Sequence, residues 1–349
     1  RLIFITQDSL RGDYCRSRIS EGVRLIKNLR QIFRNNDWQD SPELISDFRI
    51  KIDKRRFPQR NVLESDAFQR FDEDTEVDLS QSDKANWTAL LPNRGIESLS
   101  NFQLEATKGI VNSSGDEGLV ITAGTGSGKT YCFYLPTIIK ICRDLEKDDY
   151  WTRSVTLYPR KELLKDQFNE VLAMCLELRK GLIKQGKRPL RIGALYGDTP
   201  QQNYLERFDE GRDWQSPYIK CPTCQRPMIW TWRRIQEKRE ILSCSDCNET
   251  LPEDILSISR ETILKEPPDI LFTTTEMLNQ RMSDKGYLKP FGIGLPPGKR
   301  PKFLLLDEVH SYFGTDGAQA AVMIRRWRNA VKSKVTFVGL SATLVQAPD

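Results

Sequence analysis

The run Leu119-Val120-Ile121-Thr122-Ala123 breaks into Gly124-Thr125-Gly126-Ser127-Gly128 and resumes as Lys129-Thr130 at the head of a long apolar-rich stretch. A strand, a glycine turn and a helix in immediate succession constrain the chain strongly, because the strand must be buried and the turn must lie at its carboxyl end. There, successive backbone N–H groups can turn inward, and the amino end of the helix adds a partial positive charge, so that together they cradle a phosphate. Gly124, Thr125, Gly126, Ser127 and Gly128 would line the phosphates, Lys129 would reach the β- and γ-phosphates, and the Thr130 hydroxyl would ligate Mg2+. The strict pattern opens with glycine where this chain has Ala123, a change the turn tolerates.

From about residue 95 onward, short apolar runs alternate with amphipathic stretches. The pattern predicts strands at Gly118–Ala123, Ser154–Tyr158, Arg191–Tyr196, Asp269–Thr273, Phe303–Leu306 and Val335–Leu340, with helices near 101–112, 129–146, 160–185 and 316–332. Most of these strands are β-branched or leucine-rich, as strands buried on both faces should be. Such alternation implies a parallel sheet with right-handed crossovers, the doubly wound α/β class, with its ligand at the carboxyl ends of the strands.

Phosphoryl transfer also needs a carboxylate for the metal and a group that orients water. Leu304-Leu305-Leu306-Asp307-Glu308 offers both at a strand end, Asp307 as the Mg2+ partner and Glu308 as the base. The chain's one histidine, His310, follows directly, so histidine-rich metal sites and histidine pairs are excluded elsewhere.

Taken in order, these motifs resemble the first RecA-like domain of a superfamily 2 helicase. Gln103, followed by Ala106, stands where that family places an adenine-reading glutamine, and Thr156-Leu157-Tyr158-Pro159-Arg160, with Asp166-Gln167 behind it, resembles motif Ia. Asp269 to Thr273, continuing through Thr274-Thr275-Glu276, resembles motif Ib; Asp307-Glu308-Val309-His310 resembles a DEVH box and Ser341-Ala342-Thr343 motif III. The tail of the DEVH segment, through Tyr312, Gly314 and Gly317 to Arg325-Arg326-Trp327-Arg328, resembles the MrfA-like repair helicases and the large helicases of the Druantia and DISARM anti-phage systems. The resemblance implies ATP-driven translocation on DNA, often 3′ to 5′, with coupling through His310, Ser341 and Thr343. It also implies arginine fingers from a second RecA-like domain that these residues do not contain. An RNA helicase of the same superfamily and a non-catalytic nucleic-acid-binding assembly module are the alternatives. Motif Ia departs from relatives at Tyr158-Pro159-Arg160-Lys161, where they often carry Pro-Thr-Asn or Pro-Thr-Arg.

Arg160, Gly197, Asp198, Thr274 and Thr275 follow strand ends, where backbone amides and small side chains can grip phosphates without reading bases. The run Arg179, Lys180, Lys184, Lys187, Arg188 and Arg191 reads either as a solvated helix face and turn or as further contact to nucleic acid. A net charge of +5 suits a polyanionic partner and suits solubility equally.

Residues 212–262 interrupt the strand–helix alternation. They hold Cys221-Pro222-Thr223-Cys224, nineteen further residues, then Cys244-Ser245-Asp246-Cys247, the two-knuckle spacing of a tetrahedral zinc ribbon. An all-cysteine set indicates a structural Zn2+, with a disulfide pair or iron–sulfur cluster as alternatives. Trp214, Trp230 and Trp232 would pack the ribbon or stack on bases. The remaining cysteines, Cys15, Cys132, Cys142 and Cys175, read as isolated, buried, reduced thiols.

Residues 1–60 carry a helical pattern, Val23, Ile26, Leu29 and Phe33, and form a partial helical N-terminal region. Residues 64–83 hold eight acidic side chains against one arginine and read as a solvated linker, which places a boundary between an accessory region, 1–84, and a helicase domain, 85–349. The start at Arg1 and the end just beyond Thr343 read as a segment of a longer protein. No apolar run reaches the roughly 20 residues of a membrane span, and no signal peptide stands at the start, so a cytoplasmic, reducing setting is expected, with protein partners in a defence or repair system.

Overall fold

A computed structural model describes residues 60–74, 77–91, 98–122, 128–202, 205 and 211–341. In chain order these form β1 (Arg60–Leu63), α1 (Glu64–Glu73), α2 (Gln81–Leu90), β2 (Ser98–Ser100), α3 (Asn101–Asn112), β3 (Gly118–Thr122), α4 (Lys129–Arg143), β4 (Ser154–Tyr158), α5 (Lys161–Lys184) and β5 (Ile192–Leu195). There follow β6 (Trp214–Lys220), β7 (Pro227–Trp230), α6 (Trp232–Gln236), β8 (Leu256–Ser257), α7 (Arg260–Lys265), β9 (Ile270–Thr274), α8 (Thr275–Arg281), β10 (Phe303–Leu306), α9 (Gly314–Val331) and β11 (Thr336–Ser341).

Among the described residues, seven strands make one sheet in the order β3-β11-β10-β4-β9-β5-β8, every pairing parallel. Side chains alternate across it. Phe303 and Leu305 join a core with α3, α4 and α5, while Leu304, Val155, Leu157 and Leu271 join a second core with α8 and α9. On α9, Ala320, Met323, Trp327 and Val331 recur at three- and four-residue spacing and bury that face, and Trp327 Nε1 donates to Phe291 O at 3.0 Å. The fold is the expected RecA-like arrangement, helices covering both faces of a parallel sheet.

At the amino ends of β4, β5 and β9 a buried ion cluster ties the strands together. Asp269, 0% exposed, accepts from Arg153 at 2.5 Å, from Arg188 at 2.6 and 2.7 Å, and from the Arg191 backbone N–H at 2.9 Å. Every lone pair is satisfied, as a carboxylate out of water requires. Arg188 is therefore structural, and Arg191, whose guanidinium donates to Leu256 O and Glu266 at 3.1 Å each, lies with it at the opposite ends of the strands from the phosphate loop.

The sequence-based boundary near residue 85 is corrected. Among the described residues, α1 and α2 bury Ala67, Phe71, Trp87 and Leu90 in the same core as α4 and α5. Glu64, Asp66, Asp72 and Glu73 lie on the exposed or half-buried side of α1, Asp83 is buried and pairs with Arg143 at 2.9 Å, and Trp87 packs on Phe68 and Phe71 with ring centroids 5.8 and 5.6 Å away. The predicted helical region of residues 1–59 lies outside the described residues.

Candidate functional site

Six parallel strands deliver the predicted site residues to one edge. In sheet order their carboxyl ends lead to the phosphate loop after β3, Ser341 on β11, Asp307 and Glu308 after β10, Arg160 after β4, Thr274 and Thr275 at β9, and Gly197 and Asp198 after β5. With strands about 4.8 Å apart, this rim spans roughly 25 Å. Its first three strands carry the nucleotide residues and its next three carry the candidate nucleic-acid residues.

Gly124, Thr125, Gly126, Ser127 and Thr343 lie outside the described residues. Gly128, at φ 84°, caps α4, which Lys129 and Thr130 open; that left-handed backbone is one glycine adopts without strain. Gln103 is buried and anchors this turn. Its Oε1 accepts from Ser100 N at 2.9 Å, closing a capping box on α3, and its Nε2 donates to Gly128 O at 3.3 Å.

Asp307 is 8% exposed, and its Oδ1 accepts from Glu308 N at 2.8 Å. Glu308 takes φ 50°, a left-handed conformation rare for a side-chain-bearing residue, at the turn that follows β10. His310 Nδ1 then lies 3.1 Å from Glu308 Oε2 and 3.4 Å from Ser341 Oγ, so the predicted coupling residues His310 and Ser341 do meet. The turn packs closely on β11, for a Cβ at Gly339 would stand 2.8 Å from Val309 Cγ2. Behind Asp307 the buried hydroxyls of Tyr134 and Tyr158 share a hydrogen bond, and burial, together with the Asp307 charge, raises both phenols above their ordinary range. Tyr312 is raised for the same two reasons. Asp307, held by the Glu308 N–H, and the neighbouring Glu308 carboxylate, 3.1 Å from His310, offer the negative charge that fits Mg2+ and a triphosphate.

On the other half of the rim, Arg160 is exposed where α5 begins. Asp198 lies 3.5 Å from Lys161 Nζ and 3.4 Å from Lys165 Nζ, so its charge is outweighed by neighbouring cations. Thr274 Oγ1 accepts from Met277 N at 3.2 Å and caps α8, leaving Thr275 in that helix's first turn.

The four cysteines converge in the insertion between β5 and β8. Their Sγ atoms all lie within 4.8 Å of one another, and both the Cys221–Cys247 and Cys224–Cys244 pairs stand at 3.4 Å. A disulfide requires about 2.05 Å, whereas Zn–S bonds of about 2.3 Å set sulfur–sulfur edges near 3.8 Å. The two knuckles repeat one design. Cys221 N donates to Arg226 O at 2.7 Å and Cys244 N to Glu249 O at 2.8 Å, while Gln225 and Asn248 take φ 63° and 58°. Backbone N–H groups of Cys247 and Asp246 hold the Cys244 thiol down to about 7, whereas Cys224 and Cys247, each set against a neighbouring sulfur, are raised. The residues fit a structural zinc ion.

Trp230 is 0% exposed, donates through Nε1 to Arg239 O at 2.8 Å, and meets Trp214 edge-on at 6.5 Å, so it packs the ribbon. Residues 212–262 carry eight cationic and eight acidic side chains, a balance that offers no net attraction to a phosphate backbone. The predicted extent of the insertion is also corrected, because Leu256–Ser257 pairs with Ile192–Gly193 as the edge of the main sheet. Beyond the sequence reading, the structure adds Glu240 and Arg260, which tie this insertion to the rim.

Residues 100–224 match the model of the DEAD/DEAH box helicase family. That match covers about a third of the chain, and with the RecA-like fold it makes this region similar to the helicase domains of superfamily 2. The chain is similar to Druantia protein DruE of Escherichia coli, 26% identical over 251 residues, covering 60% of this chain and 14% of that protein. A stretch of 77 residues is 32% identical to ATP-dependent RNA helicase ROK1 of Vanderwaltozyma polyspora, covering 22% of this chain and 12% of the other. Its fold resembles the crystal structure of helicase MrfA bound to DNA and AMPPNP, with a TM-score of 0.50 and 21% identity, covering 83% of this chain and 28% of that one. The chain thus spans a seventh of the Druantia protein and about a quarter of MrfA. Among the described residues, no helix is long and apolar enough to cross a membrane.

Proposed function

We propose that this chain is the ATP-binding half of a DNA helicase or translocase, in which hydrolysis at the β3–β11–β10 end of the rim drives movement of a strand held at the β4–β9–β5 end. The observation that carries this reading is the joining of Asp307, Glu308, His310 and Ser341 on adjacent strands, beside the helix that Lys129 and Thr130 open. Thr130 and Asp307 would hold Mg2+, which neutralises charge on the phosphate oxygens. Lys129 binds the β- and γ-phosphates, Glu308 orients the attacking water and takes its proton, and Gln103 holds the cradle from α3. His310 passes the state of Glu308 to Ser341, and Arg160, Gly197, Asp198, Thr274 and Thr275 grip the nucleic-acid backbone. Arginine fingers come from a second RecA-like domain.

DNA is favoured by the likeness to the Druantia protein and, at the level of fold, to MrfA; the short stretch shared with an RNA helicase supports the alternative. The Druantia likeness supports a role in anti-phage defence or repair, which we read as work in the cytoplasm with protein partners. Phosphate release by the native protein, measured with single-stranded DNA, duplex DNA and RNA in turn, tests the reading. Stimulation by DNA above that by RNA is expected; stronger stimulation by RNA would reverse the substrate, and absence of hydrolysis with every polymer would leave a non-catalytic module.

A further inference from the structure

We propose that the four-cysteine insertion positions the loop that follows β5, residues 196–202, through Glu240 and Arg260, and thereby sets how tightly that loop holds a nucleic-acid backbone. The second half of this statement rests on the nucleic-acid reading of Gly197 and Asp198. The first half rests on geometry alone.

Glu240 lies four residues before Cys244 and is 5% exposed. A carboxylate so far from water needs donors, and it finds them outside the insertion: Ile258 N donates to Oε2 at 2.6 Å and Ser259 N to Oε1 at 2.8 Å. These two amides belong to the segment that leaves β8, and the next residue is Arg260. Its guanidinium turns back over the rim, donating to Thr199 O and Gly197 O, both at 3.1 Å, and to Tyr196 O at 3.4 Å. Three carbonyls of one loop thus depend on one side chain, and the backbone adds to it, since Arg260 N donates to Pro200 O at 2.9 Å.

A second line joins the same loop to the insertion. Gln202 N donates to Glu261 Oε2 at 2.9 Å, and Gln202 Nε2 donates to Ile235 O, within the insertion, at 3.3 Å. Between these ties the loop makes its own turn, with Thr199 N donating to Tyr196 O at 3.1 Å and Tyr196 N to Thr199 Oγ1 at 2.9 Å. Drawing the carbonyls of 196–199 inward toward Arg260 leaves Gly197 exposed at the rim. The insertion has no net charge with which to attract nucleic acid, and these contacts give it an indirect route to the same end.

Two substitutions in the native protein test this. Arg260→Ala removes all three side-chain bonds, and Glu240→Gln replaces one acceptor oxygen with an amide that faces an N–H. Backbone hydrogen exchange across 196–202 should quicken in both variants, whatever the polymer bound; unchanged exchange would overturn the positioning role. Affinity for a labelled single-stranded DNA, read by fluorescence anisotropy, should fall by about tenfold in Arg260→Ala and less in Glu240→Gln. Affinity for a fluorescent ATP analogue should stay within about twofold, Arg260→Lys should recover part of the DNA affinity, and the double variant should be no weaker than Arg260→Ala. Quickened exchange with unchanged DNA affinity would overturn the link to binding, and equal losses of DNA and ATP affinity would reduce both residues to general stability. A wild-type protein that binds no DNA would sink the nucleic-acid reading while leaving the exchange result to decide the positioning.

Discussion

His310 and Ser341, 31 positions apart, meet because β10 and β11 pair in parallel with Leu306 opposite Gly339. Cys224 and Cys244, 20 positions apart, meet because each ends or begins a tight knuckle whose N–H groups are already satisfied locally. The rim therefore inherits its geometry from a large buried sheet, and its side chains can be specialised for chemistry at little cost to the fold. The insertion buries Met228, Trp230, Leu242 and Leu251 in the domain core, while its exposed knuckles are held by four thiols that serve the fold and are unsuited to chemistry. Substitutions at the two places should accordingly fail in opposite ways.

The largest effect is expected at the rim. Asp307→Asn and Glu308→Gln should each slow ATP hydrolysis on the order of 10³-fold, about 4 kcal/mol of transition-state stabilisation, because each removes a charge or base used in phosphoryl transfer. Glu308→Gln should still bind a fluorescent ATP analogue, and thermal unfolding of both variants should match the parent. A variant that melts early would show that the rim carries the fold as well.

Replacing Cys221 and Cys224 with serine should show the converse. Elemental analysis of the parent should return about one zinc per chain, and the variant should lose it. Met228, Trp230, Leu242 and Leu251 share the domain core, so the loss should be confined to a few kcal/mol, seen as rapid proteolysis within 214–251. ATP-analogue affinity should persist. A metal-free insertion that resists proteolysis would remove zinc from the account, and lost ATP binding would erase the contrast between the two regions.

That contrast also explains what could be read from the chain beforehand. β4 and β10 fall on the predicted Ser154–Tyr158 and Phe303–Leu306, since leucine and β-branched runs bounded by polar turns mark strands buried on both faces. The cysteine spacing was equally plain, its logic being local. The helical nature of 64–90 was hidden, because its apolar positions, Ala67, Phe71, Trp87 and Leu90, are sparse among acidic residues on the outer faces. Arg188 and Arg191 read as part of a basic surface because the acids their guanidiniums meet, Asp269 and Glu266, lie 81 and 75 positions away. The two-residue strand β8, and with it the role of Glu240 and Arg260, leaves no periodic signal at all.

The smallest effect should come from the residue that links Glu308 to the end of β11. His310 touches Glu308 at 3.1 Å and Ser341 at 3.4 Å, yet supplies neither the metal ligand nor the base, so His310→Ala leaves the carboxylates and the cradle in place. What it removes is a side chain that touches both Glu308 and the end of β11. Basal hydrolysis should therefore fall by about twofold, whereas DNA-stimulated hydrolysis should fall by about tenfold, roughly 1.4 kcal/mol of coupling. Steady-state rates with and without saturating DNA measure both. Equal losses would make His310 a local prop for Glu308, and the rim would then be two independent sites on one sheet edge instead of a coupled pair.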